Sequence, residues 1–207
     1  MKTIRILAGI TLVSSLMAAP ALAQEVDMAS YLPLKVNNTW HYVDTAGGNA
    51  EFDLKVSEQV AVSGAAAFKT LKTGSPDWDI MSNDAAGLRL HKRNDKNGTI
   101  DWAPGVKFAA PRAKVGDVQT TTPNFTNPAT GNKMLWTAKF EKLTDVTVPA
   151  GTFKSCVQLR ITIQDSVLGT KFANFDMFLA PGVGIVKRQG QFFGVFFAQL
   201  LQRFSVL

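Results

Sequence analysis

The chain has 207 residues, 46% of them hydrophobic and 18% charged, with one cysteine, two histidines and a formal net charge of +6. The charged share lies below the roughly one quarter of an average globular protein, and phenylalanine (14) far outnumbers tyrosine (2). These counts exclude a disordered chain, a collagen-like repeat, an internal disulfide framework and a histidine-rich metal site.

The first element in chain order is a targeting segment. Lys2 and Arg5 precede an apolar run from Ile6 to Met17, and Ala21-Leu22-Ala23 places small residues just before Gln24. That order predicts a signal peptide over residues 1–23, cleaved after Ala23, and hence a periplasmic or secreted protein. A run of about 12 apolar residues is too short for the roughly 20 that span a bilayer, so the chain is not expected to be membrane-spanning. No cysteine stands near the cleavage point, which argues against a lipid anchor. Residues 24–207 suffice for one sizeable core but not for two comfortable domains, so a single β-rich domain is predicted there. Without Lys2 and Arg5 the chain carries +4. An anionic partner such as a lipid head group fits that charge, and nucleic acid is not expected for an exported protein.

From Trp40 onward the chain alternates with period two. Trp40 and Tyr42 open the pattern, Phe52, Leu54 and Val56 continue it, and Leu88 and Leu90 alternate with Arg89 and His91. Trp136, Ala138 and Phe140 follow, and the cleanest run is Val157, Leu159, Ile161 and Ile163 against Gln158, Arg160, Thr162 and Gln164. Such alternation turns one face of each strand to a core and the other to water. Gly and Asn recur between the runs, as tight hairpins require. The prediction is all-β with few short helices: a strongly curved antiparallel sheet, half-barrel or open barrel, of roughly ten strands. Ala103 to Pro128 reads as a long loop with brief extended pieces. Phe197, Leu200, Leu201 and Phe204 match helical spacing, so a terminal helix competes with a strand.

Two segments are apolar on both faces: Phe172 to Leu179, and Phe192 to Leu201. Strands of that kind are covered on both sides by a second layer, a closing barrel, a partner or an apolar ligand. A cavity for a lipid or other apolar small molecule would be lined by Trp136, Phe140, Phe175, Met177, Phe193 and Phe197, because Phe and Met offer large apolar area without demanding hydrogen bonds. Arg89, Lys92 and Arg93, in the densest basic stretch of the chain, are the candidates for an anionic head group at its mouth, although a solvated hairpin tip is the plainer reading of that stretch.

Enzyme chemistry leaves little trace. There is no Gly-x-Ser-x-Gly turn, and His41 and His91 sit in alternating strands as solvent-facing residues. Gly182-Val183-Gly184 lacks the third Gly and the Lys-Ser/Thr of a phosphate loop, and Asp95 to Gly98 lacks the acidic ligands of a calcium loop. Cys156 has no partner cysteine and reads as a structural thiol. No cofactor, metal or catalytic residue is expected. The chain reads as a non-enzymatic envelope protein that binds an apolar ligand. The alternative is a structural or assembly partner, another envelope protein being its counterpart, with a hydrolase of unknown type third. An enclosed apolar cavity would favour the first, and a flat exposed apolar sheet the second.

Three segments carry a resemblance: Tyr31 to Tyr42 (YLPLKVNNTWHY), Val146 to Lys154 (VTVPAGTFK) and Ala180 to Lys187 (APGVGIVK). In this order they resemble the "PL..G..W.Y, V.VPAG.F, APGVG.V" pattern of a group of uncharacterised exported bacterial proteins, with Asn37 where the group has glycine. The resemblance implies a β-rich half-barrel in the envelope, distantly similar to LolA/LppX-type lipid carriers, and it implies no catalytic residues. The motif residues themselves read as scaffold: Trp40 and Tyr42 as anchors, Gly151 and Gly182 as turns.

Overall fold

A computed structural model describes residues 24–127 and 134–207. The signal-peptide pattern, its cleavage point after Ala23 and the Gly131-Asn132 turn lie outside the described residues. The N-terminal part runs through β1 (Glu25–Asp27), a 3₁₀ turn (Met28–Tyr31), β2 (Thr39–Asp44), β3 (Ala50–Val62), β4 (Ala65–Lys72) and β5 (Trp78–Asp84). The middle holds β6 (Gly87–Asp95), β7 (Gly98–Ala109), β8 (Arg112–Lys114), β9 (Val118–Thr121) and β10 (Asn124–Asn127). Five longer strands complete it: β11 (Met134–Val148), β12 (Gly151–Asp165), β13 (Lys171–Ala180), β14 (Gly184–Phe192) and β15 (Val195–Ser205).

Thirteen of these strands form one antiparallel sheet in the order β10-β7-β6-β5-β4-β3-β2-β15-β14-β13-β12-β11-β9, and β1 pairs with β8 apart from it. Among the described residues no ladder closes the sheet. Its ends are brought together by side chains instead: Trp102 and Phe108 of β7 pack on Trp136 of β11 at 5.9 and 6.2 Å, and the Lys107 amide of β7 donates to Thr121 Oγ1 of β9 at 3.1 Å. The result is an open barrel. The all-β prediction holds, and the strand number exceeds the expected ten. The excess comes from Ala103–Pro128, which supplies the end of β7 and all of β8, β9 and β10 rather than a loop. Its prolines hide the strands without breaking them. Pro104 falls where pairing of β7 with β6 skips from Asp101 to Val106, so no ladder bond is lost. The C-terminal segment is a strand because β14 and β2 offer it ladder partners on both sides, which override helical spacing.

One end of the barrel is floored by the segment before β2. Met28 is fully buried, and Asn83 Nδ2 donates to the Met28 and Leu32 carbonyls at 2.7 and 3.1 Å. Tyr31 Oη donates to the Ser155 carbonyl at 3.0 Å, and the Gly182 amide to that of Ser30 at 2.7 Å. The three sequence segments meet here as scaffold. Trp40 Nε1 donates to the Val183 carbonyl and Tyr42 Oη to that of Ile185, both at 2.6 Å. Gly184, at φ +106, leaves room for Leu32 and Trp40, each 3.3 Å from where its Cβ would stand. Asn37 takes φ +76, the left-handed turn that glycine would fill.

The larger core cluster lies inside the barrel and holds Val157, Leu159, Ile161 and Ile163 of β12, as the alternation requires. A second cluster, towards the floor, gathers Trp40, Tyr42, Val56, Phe178, Val186 and Leu201 around Cys156. Cys156 is fully buried, and that burial, with Asp145 adding to it, pushes its thiol up to about 11. It stays a neutral thiol at pH 7. Iodoacetamide should therefore leave the native protein unmodified over hours and label Cys156 stoichiometrically once it is unfolded in urea, as read by intact mass.

Candidate functional site

The concave face of the sheet encloses two adjoining chambers of about 240 and 320 Å³. They share one wall made of Asp79 and Met81 of β5, Arg93 of β6, Ile185 and Arg188 of β14, and Gln199 of β15. The first chamber continues along Trp40, Tyr42, Phe52 and Leu54 to Trp78, with Leu32 and Leu34 beneath it. The second runs along Leu90, Phe108, Trp136, Ile163, Phe175, Met177, Phe192 and Phe197. The hairpins that follow β2, β4, β6 and β14 stand at the end opposite the floor, and the chambers reach them at Asp77, Asn94, Asp95 and Phe192. That end is the mouth.

Lys72, Asp77 and Asp95 bring charge to the mouth of the first chamber, and deeper inside the charged groups are those of the shared wall. Arg93 and Asp79, directly opposed across β5 and β6, form a two-pronged ion pair: Nε to Oδ1 at 2.7 Å and an Nη to Oδ2 at 2.9 Å. Asp79 holds the Arg93 guanidinium well above its ordinary pKa. Arg188 differs. Its side chain makes no hydrogen bond and no ion pair with any described residue, and its buried Nε has no partner. Burial pulls its pKa down, with neighbouring Arg93 acting in the same sense, while the Tyr42 hydroxyl and Asp79 act against them. Gln199, opposite Arg188 in the β14–β15 ladder, leaves its buried Oε1 unpartnered as well. The wall thus contains two guanidiniums and one carboxylate.

Four of the six predicted lining residues come together: Trp136, Phe175, Met177 and Phe197 line the second chamber. Phe140 lines neither chamber; it is 2% exposed in the solid part of the core. Phe193 lies outside, 56% exposed at the β14–β15 turn, where φ +46 points it away from the barrel and onto Phe172 at 5.4 Å. The basic triplet splits. A bulge at His91 shifts the parity of β6, so Arg93 enters the barrel with Leu90 while Lys92 stays outside, paired with Asp101 at 2.7 Å. Arg89 also faces outward, in a surface recess with Ser82 and His91. They therefore do not form one basic mouth. The predicted set omits most of the shared wall, Asp79, Met81, Ile185, Arg188 and Gln199, and Phe192 at the mouth. Gln199 carried a readable signal, since it interrupts the inward parity of Phe197 and Leu201.

Neither histidine is freely solvated. His41 is 7% exposed, its Nδ1 2.6 Å from Asp53 Oδ1, and the half-buried His91 Nε2 lies 2.9 Å from Ser82 Oγ. Ser82 is 2% exposed and lines the recess that holds Arg89 and His91. Among the described residues no group of three or more His, Cys, Asp or Glu is placed to hold a metal, and no helix is long and apolar enough to cross a membrane.

No protein-family model matches the chain, and no curated protein matches it. Among solved structures it is similar to the hypothetical lipoprotein YmcC from Escherichia coli, with a TM-score of 0.49 and 12% identity over 87% of this chain and 89% of that one. It is also similar to an exported protein with a YmcC-like fold from Bacteroides fragilis, with a TM-score of 0.40 and 13% identity over 85% of this chain and 99% of that one. A candidate lipoprotein from Parabacteroides distasonis gives a TM-score of 0.38 and 14% identity over 84% of this chain and 98% of that one.

Proposed function

We propose that the chain is a non-enzymatic exported envelope protein that holds one apolar or lipid-like molecule inside the open barrel. The observation that supports this is the second chamber, about 320 Å³ and walled by Phe, Trp, Met and Ile side chains. Ligand sites run from about 300 to 1,000 Å³ and are mostly apolar with a few placed polar groups, and the second chamber meets both conditions. Carriage of lipid, in the manner of the half-barrel carriers to which the group resembled by the three segments is distantly similar, belongs to the same proposal.

An uncharged probe such as N-phenyl-1-naphthylamine, dark in water and bright when dry, tests it. Wild-type protein should bind one probe saturably. Met81 lines both chambers, so Met81→Trp should fill the passage between them and weaken binding by about tenfold or more with the β-sheet circular dichroism unchanged. A folded protein that takes up no probe, or a Met81→Trp variant that binds as wild type does, would contradict the proposal.

The assembly reading keeps one observation in its favour. Phe193, Val195 and Phe196, with Val167 and Leu168 on the neighbouring hairpin, are 56 to 84% exposed at the mouth end. A stable dimer in light scattering that dissociates on Phe196→Ser would favour that second reading.

A further inference from the structure

We propose that Arg188 receives the carboxylate of a long-chain acid whose apolar tail lies in the chambers. This rests on the barrel being an apolar-ligand site and names the ligand's head group. Arg188 projects from the middle of β14 into the wall shared by both chambers, so a head group held there leaves either chamber open to the tail. Its guanidinium offers five N–H donors in a planar fork that matches a carboxylate, and no described residue uses them. The other cations of the chambers are committed. Arg93 is held by both oxygens of Asp79, and Lys72, at the rim, stands 4.9 Å over the Phe52 ring and 4.0 Å from Asp77. One free guanidinium suits a singly charged, planar acid better than a phosphate, whose second charge would need a second free cation.

A half-buried cation with no ion pair of its own is less favourable to the empty protein than a paired one, and a ligand carboxylate would relieve that cost while its tail covers the apolar walls. Alternation alone would place an apolar side chain here. Arg188 stands opposite Met177 on β13, within a wall of Ile185, Phe175 and Phe197.

The test compares a fluorescent polyene fatty acid, cis-parinaric acid, with its methyl ester at neutral pH. Wild type should prefer the acid by about tenfold to a hundredfold, the difference a charge-assisted pair makes in a dry site. Arg188→Met should bind both probes alike, with the affinity wild type has for the ester. Met177→Glu, which sets a carboxylate directly across the ladder from Arg188, should abolish the preference from the other side. Ligand-free Arg188→Met should also melt about 3 °C higher than wild type, whereas a merely structural arginine would melt lower on removal. If wild type binds acid and ester equally, or if Arg188→Met keeps the preference, the head-group assignment is overturned and the cavity reading stands. If wild type binds neither probe, the cavity reading itself fails.

Discussion

Gly190→Ala should destabilise the protein by about 3 kcal/mol or more and leave most of it insoluble on expression, measured by urea unfolding of the soluble fraction. Gly190 lies in β14 between β13 and β15, at φ +149. A Cβ there would stand 2.4 Å from the Asn174 carbonyl oxygen and 2.5 Å from both Cα and Cβ of Phe175. The first two are backbone atoms of a paired strand and the third is fixed to that backbone, so none can swing away as the end of a flexible side chain would. Relief requires β13 and β14 to part, which carries Phe175 out of the chamber wall. The same substitution at an open turn such as Gly98, where nothing lies within 4 Å, would bring backbone strain alone and a smaller loss.

Phe140→Ala should cost about 3–5 kcal/mol, seen as a lower urea midpoint at unchanged slope. Phe140 is 2% exposed in the main core cluster, and its backbone anchors the β8–β9 turn: Gly116 N donates to the Phe140 carbonyl at 2.8 Å, and Phe140 N to that of Asp117 at 2.9 Å. The truncation opens a new void rather than enlarging a chamber, so the folded fraction should bind an apolar probe as wild type does. Phe197→Ala makes the opposite case. Phe197 is half-buried on a chamber wall, edge-on to Phe175 at 5.6 Å, and its loss should cost stability less and alter binding more.

This pair shows how far the sequence carries. Alternation places Phe140 and Phe197 on inward faces alike, because inward parity is a property of the strand. Whether an inward side chain meets another side chain or empty space is set by how thirteen strands curl, which period two does not encode. Val157 to Ile163 could be assigned to the core without ambiguity because β12 keeps strict parity through that stretch. Arg93 could not, because one extra residue at His91 reverses the face of everything after it, and bulges carry no fixed residue signature here. Arg188 was obscured by its neighbours. Lys187-Arg188-Gln189 reads as a solvated run, and the unpaired residue Val186, between the Phe178–Lys187 and Leu179–Ile185 pairs, turns Arg188 inward. The strands within Ala103–Pro128 escaped for a different reason. Pro111 and Pro123 fall just before β8 and β10, and Pro104 in the part of β7 that β6 leaves unpaired, so they interrupt the alternation without interrupting a ladder.

A bromine atom would locate an acid lying inside the barrel. Crystals of the protein grown with 12-bromododecanoic acid can be measured at the bromine absorption edge. The expected anomalous peak falls in the second chamber among Trp136, Phe175 and Phe197, with the carboxylate oxygens about 3 Å from the Arg188 guanidinium. Chambers filled by repacked side chains, or bromine found only on the exposed tips at Phe193 and Phe196, would contradict that placement.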